Sequence, residues 1–287
     1  MARAQETLAF PFRARLLYSA LAATLLAAVS WAYLPTLGFM AEHWFGDGIR
    51  NWSHGPFVAF FALYLGWRKR RELVAGAPNL WGLPFVVGAL ALHGLSLKAG
   101  IPYLSGYSLL VLAGGLVALI YGLSGARRLL FPLLYALIAV PLPVNAWGVT
   151  PFLVQVQSET STWLAGLLGA SLLRDGSLVT VAGQTYHIVP LCSGFNFLMA
   201  QLSLILPALY LLPGSWARSL LVGTSAIPIS LLTKSLLIAM VFVATPWWGA
   251  DAAMSLYHVW LGYPAFALTF LFLLWLAWLS RHRELRT

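Results

Sequence analysis

Residues 190–212, PLCSGFNFLMAQLSLILPALYLL, contain no charged side chain. A bilayer's hydrocarbon core takes roughly 20 predominantly apolar residues of helix to cross, so this stretch predicts a transmembrane helix. Its opening residues, Pro190-Leu191-Cys192-Ser193-Gly194, hold the chain's single cysteine, which excludes an internal disulfide. The rest of the chain reads the same way. Of 287 residues, 60% are hydrophobic and only 9% charged, against roughly 25% charged in ordinary globular domains. Too few charges remain to clothe a water-facing surface, so the solvent of this chain is lipid. A secreted module, a disordered tail and a DNA-binding domain are excluded together. The net charge of +9 would suit nucleic acid only on a solvated basic face. Here the basic residues sit in short clusters between apolar runs, which is how membrane topology is written.

Eight spans are predicted, at about 15–34, 53–67, 80–98, 105–123, 128–144, 190–212, 216–245 and 254–279. The expected fold class is an all-α polytopic membrane protein forming one domain over 1–287. Pro132 and Pro141 predict a kink in the fifth span. The N-terminal run, long and ending in Trp31 and Tyr33, reads as a retained helix and not a signal peptide. With the N-terminus inside, the inner segments hold Arg3, Arg13, Arg15, Arg68, Lys69, Arg70, Arg71, Arg127, Arg128, Arg218, Arg281, Arg283 and Arg286, which is 13 of the 17 basic residues. The outer segments hold Arg50, Lys98 and Arg174, and Lys234 lies within a span. The bias predicts both termini in the cytoplasm.

One outer loop, about 144–189, is too long for a mere connection. Val149, Phe152, Leu153, Val156, Thr160, Trp163, Leu164 and Leu167 recur at near-helical spacing, with Gln155, Ser158, Glu159 and Ser161 opposite. The pattern predicts an amphipathic helix lying on the outer membrane surface. From Ser177 to Val189 the alternation predicts a small β-hairpin turning near Gly183, which delivers the chain directly to Cys192.

Ionisable groups at membrane depth are costly, so each is a functional candidate. Cys192 reads either as a nucleophile, activated by a helix start that favours the thiolate, or as a small apolar filler. Ser193 and Gly194 beside it would admit a close backbone or substrate. His258, at the outer start of the last span, is either a base for that thiol or an interfacial imidazole. Lys234 is either an oxyanion or carboxylate partner or a structural cation held by carbonyls freed near Pro228. His54, in Trp52-Ser53-His54-Gly55-Pro56, reads as a supporting or substrate-contact residue. His43, His93, His187 and His282 read as structural. Histidines and carboxylates lack metal-ligand spacing, and no glycine-rich phosphate loop occurs, so no metal or other cofactor is expected.

Taken in order, Trp52-Ser53-His54-Gly55, Trp67-Arg68-Lys69-Arg70, Phe131-Pro132-Leu133-Leu134, Pro141-Leu142-Pro143, Leu191-Cys192-Ser193-Gly194, Ile227-Pro228-Ile229 and His258 with Gly262 and Phe266 resemble the exosortase/archaeosortase family over roughly residues 45–280. The resemblance implies a membrane cysteine transpeptidase of the bacterial cytoplasmic (inner) membrane with its site on the extracytoplasmic face. Its partners would be secreted proteins bearing a C-terminal motif, a membrane helix and a basic tail, together with an acceptor that the sequence does not identify. It also implies a Cys, Arg and His catalytic set. Cys192 and His258 match two of these. The family's Asn-x-x-Arg pattern falls on Lys234 and Leu237, so Lys234, one helical turn from the expected cation and on the same face, stands in for it. A catalytically altered scaffold for envelope or polysaccharide assembly is the alternative. A transporter would call for paired intramembrane carboxylates or repeats, and neither occurs.

Overall fold

The computed structural model describes residues 20, 23–25, 27–46, 52–73, 79–143, 148–212 and 215–282, excluding the side chains of 258, 259, 281 and 282. Arg3, Arg13, Arg15, Arg50, Arg283 and Arg286 lie outside the described residues. Helices α1 (Ala23–Ala32) and α2 (Leu34–Phe45) are bent by 60° to one another at Tyr33, where Pro35 enters the first turn of α2. Then come α3 (Gly55–Arg68), α4 (Leu83–Ala99), α5 (Pro102–Arg128), α6 (Leu130–Ala136) and α7 (Val149–Leu167). A three-stranded antiparallel sheet follows, with β1 (Leu172–Asp175), β2 (Leu178–Val181) and β3 (Gln184–His187) in that order. The chain ends in α8 (Phe195–Leu211), α9 (Trp216–Ser255) and α10 (Gly262–His282).

Among the described residues, five segments are long and apolar enough to cross a membrane: Leu80–Ala99, Pro102–Arg128, Pro190–Leu211, Trp216–Ser255 and Gly262–Ser280. The bent α1–α2 pair is a sixth if it counts as one span. The expected eight is not reached among these residues, where two of the expected spans form short helices. Helix α3 has 14 residues, about 21 Å at 1.5 Å each. Helix α6 and the tight turn after it end at Ala139. Pro141 disfavours helical geometry at the residue before it, and Val140 is extended with ψ 123°. The kink expected in this segment is a stop. The two short helices bury Met40, Val58, Ala62, Tyr135 and Val140 together.

The outer loop holds two further findings. The predicted hairpin is present as β2–β3, turning on Ala182 and Gly183 with φ 48° and 77°, the paired positive angles of a two-residue type I′ turn. β1 was not anticipated. Helix α7 forms where expected, and its two faces follow the expected sets only in part: Leu153 is buried, and Gln155 and Glu159 are exposed. Gln157, Ser158 and Ser161 are fully buried, while Phe152, Trp163 and Leu167 are more than 60% exposed. In lipid the bulky apolar side chains face outward, and small polar ones pack inward where they find partners. Ser235 Oγ donates to Gln157 Oε1 at 2.7 Å, and Gln157 Nε2 donates to the Leu231 carbonyl at 3.2 Å, which pins α7 along α9.

The two ends of the bundle differ. At one end Arg218 bonds the Ser280 carbonyl, Arg128 bonds the Glu72 carbonyl and Lys69 lies over the Tyr210 ring. The sheet lies at the other. Helix α9 runs about 50 Å from Trp216 to its break at Gly249 (φ 78°), longer than a 30 Å hydrocarbon core requires. The surplus carries the sheet: Val179, Val181 and Ile188 bury against Leu237, Val241 and Phe242. Lys234 lies about 27 Å along α9 from the exposed Trp216. It stands about one turn before Leu237, which packs against the sheet.

Candidate functional site

The chain leaves β3, passes Ile188 and Val189, and makes one tight turn over Pro190–Cys192 before α8 begins. Cys192 N–H donates to the Val189 carbonyl at 2.7 Å and Ser193 N–H to the Pro190 carbonyl at 3.1 Å. Ser193 is buried, and its Oγ accepts from Phe195 N–H at 3.3 Å, capping the helix start. Gly194 follows with φ +78°. A Cβ there would stand 2.8 Å from Gln157 Nε2 and 3.3 Å from Lys234 Cγ. Glycine is therefore needed twice, for the left-handed backbone and for the close approach of α8 to α9.

That approach sets Cys192 and Lys234 on one cavity of about 510 Å³, whose wall also includes Leu191, Leu237, Tyr257, Tyr263 and Phe266. Lys234 Nζ donates to the Tyr257 hydroxyl and lies 4.7 Å from its ring centroid. The cavity mouth is exposed, with Leu191 at 61% and Tyr263 at 79%. Leu237, where the resemblance expects the arginine, lines the same wall as Lys234.

Tyr257 belongs to a single π-helical turn, Leu256–Leu261, joining the last part of α9 to α10. Such turns inside helices gather at functional sites. His258 is the next residue in this turn, and its side chain lies outside the described residues. Its backbone thus sits beside the cavity wall, on the element that supplies Tyr257.

The other expected residues are placed elsewhere. His54 is buried below Trp52, ring centroids 5.7 Å apart, and Trp52 in turn is 5.7 Å from Phe195 at the head of α8. Burial pushes the His54 imidazole down to about 4, opposed by its contact with the Ile138 backbone, so it is neutral. It lies behind the Cys192 turn and lines neither cavity at the thiol. Pro228 lies inside α9 on the Arg218 side of Lys234 and lines neither as well. His93 bonds Ser105 Oγ at 2.6 Å and the Ala32 carbonyl at 3.1 Å, and His43 bonds the Phe39 carbonyl at 2.9 Å. The side chain of His282 lies outside the described residues.

Two residues were missed by sequence reasoning. Tyr257 partners Lys234, and its one signal was its place immediately before His258. His187, read as structural, borders a second and smaller cavity of about 60 Å³ that also touches Cys192 and Tyr257. The shared run from β3 to Cys192 was the signal for it. Chemically, the arrangement offers a thiol on a cavity with an exposed mouth, an amine and a phenol on the same wall, and an imidazole-bearing residue on the same turn as the phenol. Residues 48–275 match the family model described as transmembrane exosortase. No curated protein and no solved structure matches the chain.

Proposed function

This chain belongs to the transmembrane exosortase family, and from that premise we propose that it is a cysteine transpeptidase acting on secreted proteins that carry a C-terminal motif, a membrane helix and a basic tail. The family supports a membrane transpeptidase-like role. The observation that carries the finer reading is the convergence of Cys192, Lys234 and Tyr257 on one cavity, with His258 next in the chain.

In this reading the substrate's helix lies against the bundle and its motif enters the cavity past Leu191 and Tyr263. His258 takes the thiol proton, Cys192 Sγ attacks the scissile carbonyl, and a C–S bond forms. Lys234, relayed to Tyr257, stabilises the oxyanion. As the tetrahedral centre collapses, the C–N bond breaks and His258 returns the proton to the leaving amine. An acceptor amine or water then attacks the thioester, gives up its own proton, and the C–S bond breaks to restore the thiol. The clustering of Arg68, Lys69, Arg128 and Arg218 away from the sheet supports a cytoplasmic location for that end, and hence an extracytoplasmic site in the bacterial inner membrane.

The test is a secreted reporter fused to the C-terminal segment of a neighbouring gene's product that has the three-part signal, expressed with this chain. The reporter is expected to be shortened. Cys192→Ala and Cys192→Ser are expected to reduce conversion at least about 10³-fold while membrane levels of the protein stay equal. Unchanged processing with Cys192→Ala would overturn the reading in favour of a scaffold.

A further inference from the structure

Two spaces of different character meet at Cys192. The larger, about 510 Å³, opens between α8, α9 and α10 and has exposed side chains at its mouth. The smaller, about 60 Å³, lies towards the sheet and is walled by Tyr186, Ile188, Ile238, Phe242, Met254 and Tyr257. Phe242 and Ile188 are almost wholly buried. Tyr186 is fixed by its hydroxyl, 2.7 Å from Thr245 Oγ1, and its ring lies 5.7 Å from that of Phe242. This wall is mostly apolar, with His187 at its border.

An acyl group on Sγ places its first side chain within two bonds of the attacked carbonyl carbon. That side chain must enter one of the two spaces touching the sulfur. The remainder of a polypeptide needs the wide one, because the small one cannot hold a chain. A water-sized group needs about 10–15 Å³ of such space, so the small cavity holds about four heavy atoms. We propose, resting on the cysteine transpeptidase reading above, that this cavity is the specificity pocket for the residue whose carbonyl Cys192 attacks, and that it selects a small apolar side chain of alanine-to-valine size. An aromatic side chain would collide with Phe242 and Tyr257. A carboxylate would lose its hydration against Ile238 and Met254, with His187 only at the border of the space.

N-acetyl-amino-acid p-nitrophenyl esters test this on the full chain in detergent. Each acylates the thiol with one C–S bond formed, one C–O bond broken and p-nitrophenolate released, so the burst reports acylation alone. Alanine and valine esters are expected to give bursts at least tenfold faster than phenylalanine or glutamate esters. Met254→Ala, which opens the partly exposed edge of the pocket, is expected to raise the phenylalanine-to-alanine rate ratio at least tenfold. Ile238→Ala is expected to shift the ratio in the same direction from the opposite wall, so misfolding of one variant leaves the test intact. Equal bursts for all four esters, or a ratio unmoved by both variants, would overturn the pocket assignment while leaving the nucleophile in place. A parent burst that survives Cys192→Ala, or no burst with any ester, would instead overturn the thiol reading and the pocket with it.

Discussion

The two halves of the molecule use buried polarity in opposite ways. In the first half the polar side chains find each other. Tyr33 bonds Ser108 at 2.9 Å, Thr36 bonds Ser105 at 2.5 Å, His93 bonds Ser105 at 2.6 Å, and the Tyr33 and His93 rings stack 4.0 Å apart. This chain of contacts ties α2, α4 and α5, and the cavity of about 500 Å³ in this half has a mostly apolar lining to which none of these polar residues contributes. In the second half the polar groups gather round an opening. Cys192, Lys234 and Tyr257 face a cavity of about 510 Å³, and the buried Gln157–Ser235 pair behind them holds the wall. Polar groups that satisfy one another act as glue between helices. Polar groups gathered at a space are costly unless something uses them. On the proposed function, the first half is structural and the second carries the chemistry.

Replacing Lys234 should break the comparison most sharply. Lys234→Met keeps the length and apolar stem but removes the charge and its bond to Tyr257. Activity is expected to fall about 10²–10³-fold, the loss seen when one oxyanion donor is removed. Thermal stability should hold or rise, because a costly charge has left the apolar layer. Lys234→Arg should restore part of the activity, since a cation returns with different reach. Reporter conversion and the thermal midpoint in detergent check both limbs. A variant that loses stability and activity in proportion would make Lys234 glue after all.

Gly194→Ala tests the wall itself. The substitution forces an L-residue to φ +78° and brings a methyl group to 2.8 Å from Gln157 Nε2. Left-handed backbone costs roughly 1–2 kcal/mol outside glycine, and the collision adds to it. A stability loss of roughly 2 kcal/mol is expected, together with slower alkylation of Cys192 by N-ethylmaleimide as the turn shifts. An unchanged midpoint and an unchanged alkylation rate would show that α8 and α9 need no such contact.

How much of this was legible depends on which physical signal each element carries. The apolar, charge-poor runs of α4, α5, α8, α9 and α10 declared themselves, because hydropathy is summed over a whole helix. The lengths of α3 and α6 did not, since summing apolar residues does not register where a helix stops, and the stop at Val140 depends on one proline. The faces of α7 were legible only in part, because Ser158 and Ser161 are buried while Gln155 and Glu159, expected on the same side, are exposed. Cys192 and Lys234 stood out as singular residues in apolar surroundings, and they share a cavity. Tyr257 did not stand out, because a tyrosine near a membrane edge resembles an interfacial anchor. Only the π-turn, which no local sequence pattern announces, brings it to Lys234.

The smallest expected effect belongs to the first half and completes the contrast. Ser105 is fully buried and bonds both Thr36 Oγ1 and His93 Nδ1. Ser105→Ala strips a partner from each, yet polar contacts between membrane helices average only about 0.6 kcal/mol apiece. Losing two predicts roughly 1 kcal/mol of stability, a few degrees in the thermal midpoint. The residues around Cys192 are untouched by this change, so the N-ethylmaleimide rate at Cys192 and the reporter conversion per folded molecule should remain those of the parent. A reporter defect larger than the loss of folded protein would mean that the α2–α4–α5 contacts shape the cavity from a distance, and the division of labour between the halves would fail at its structural end.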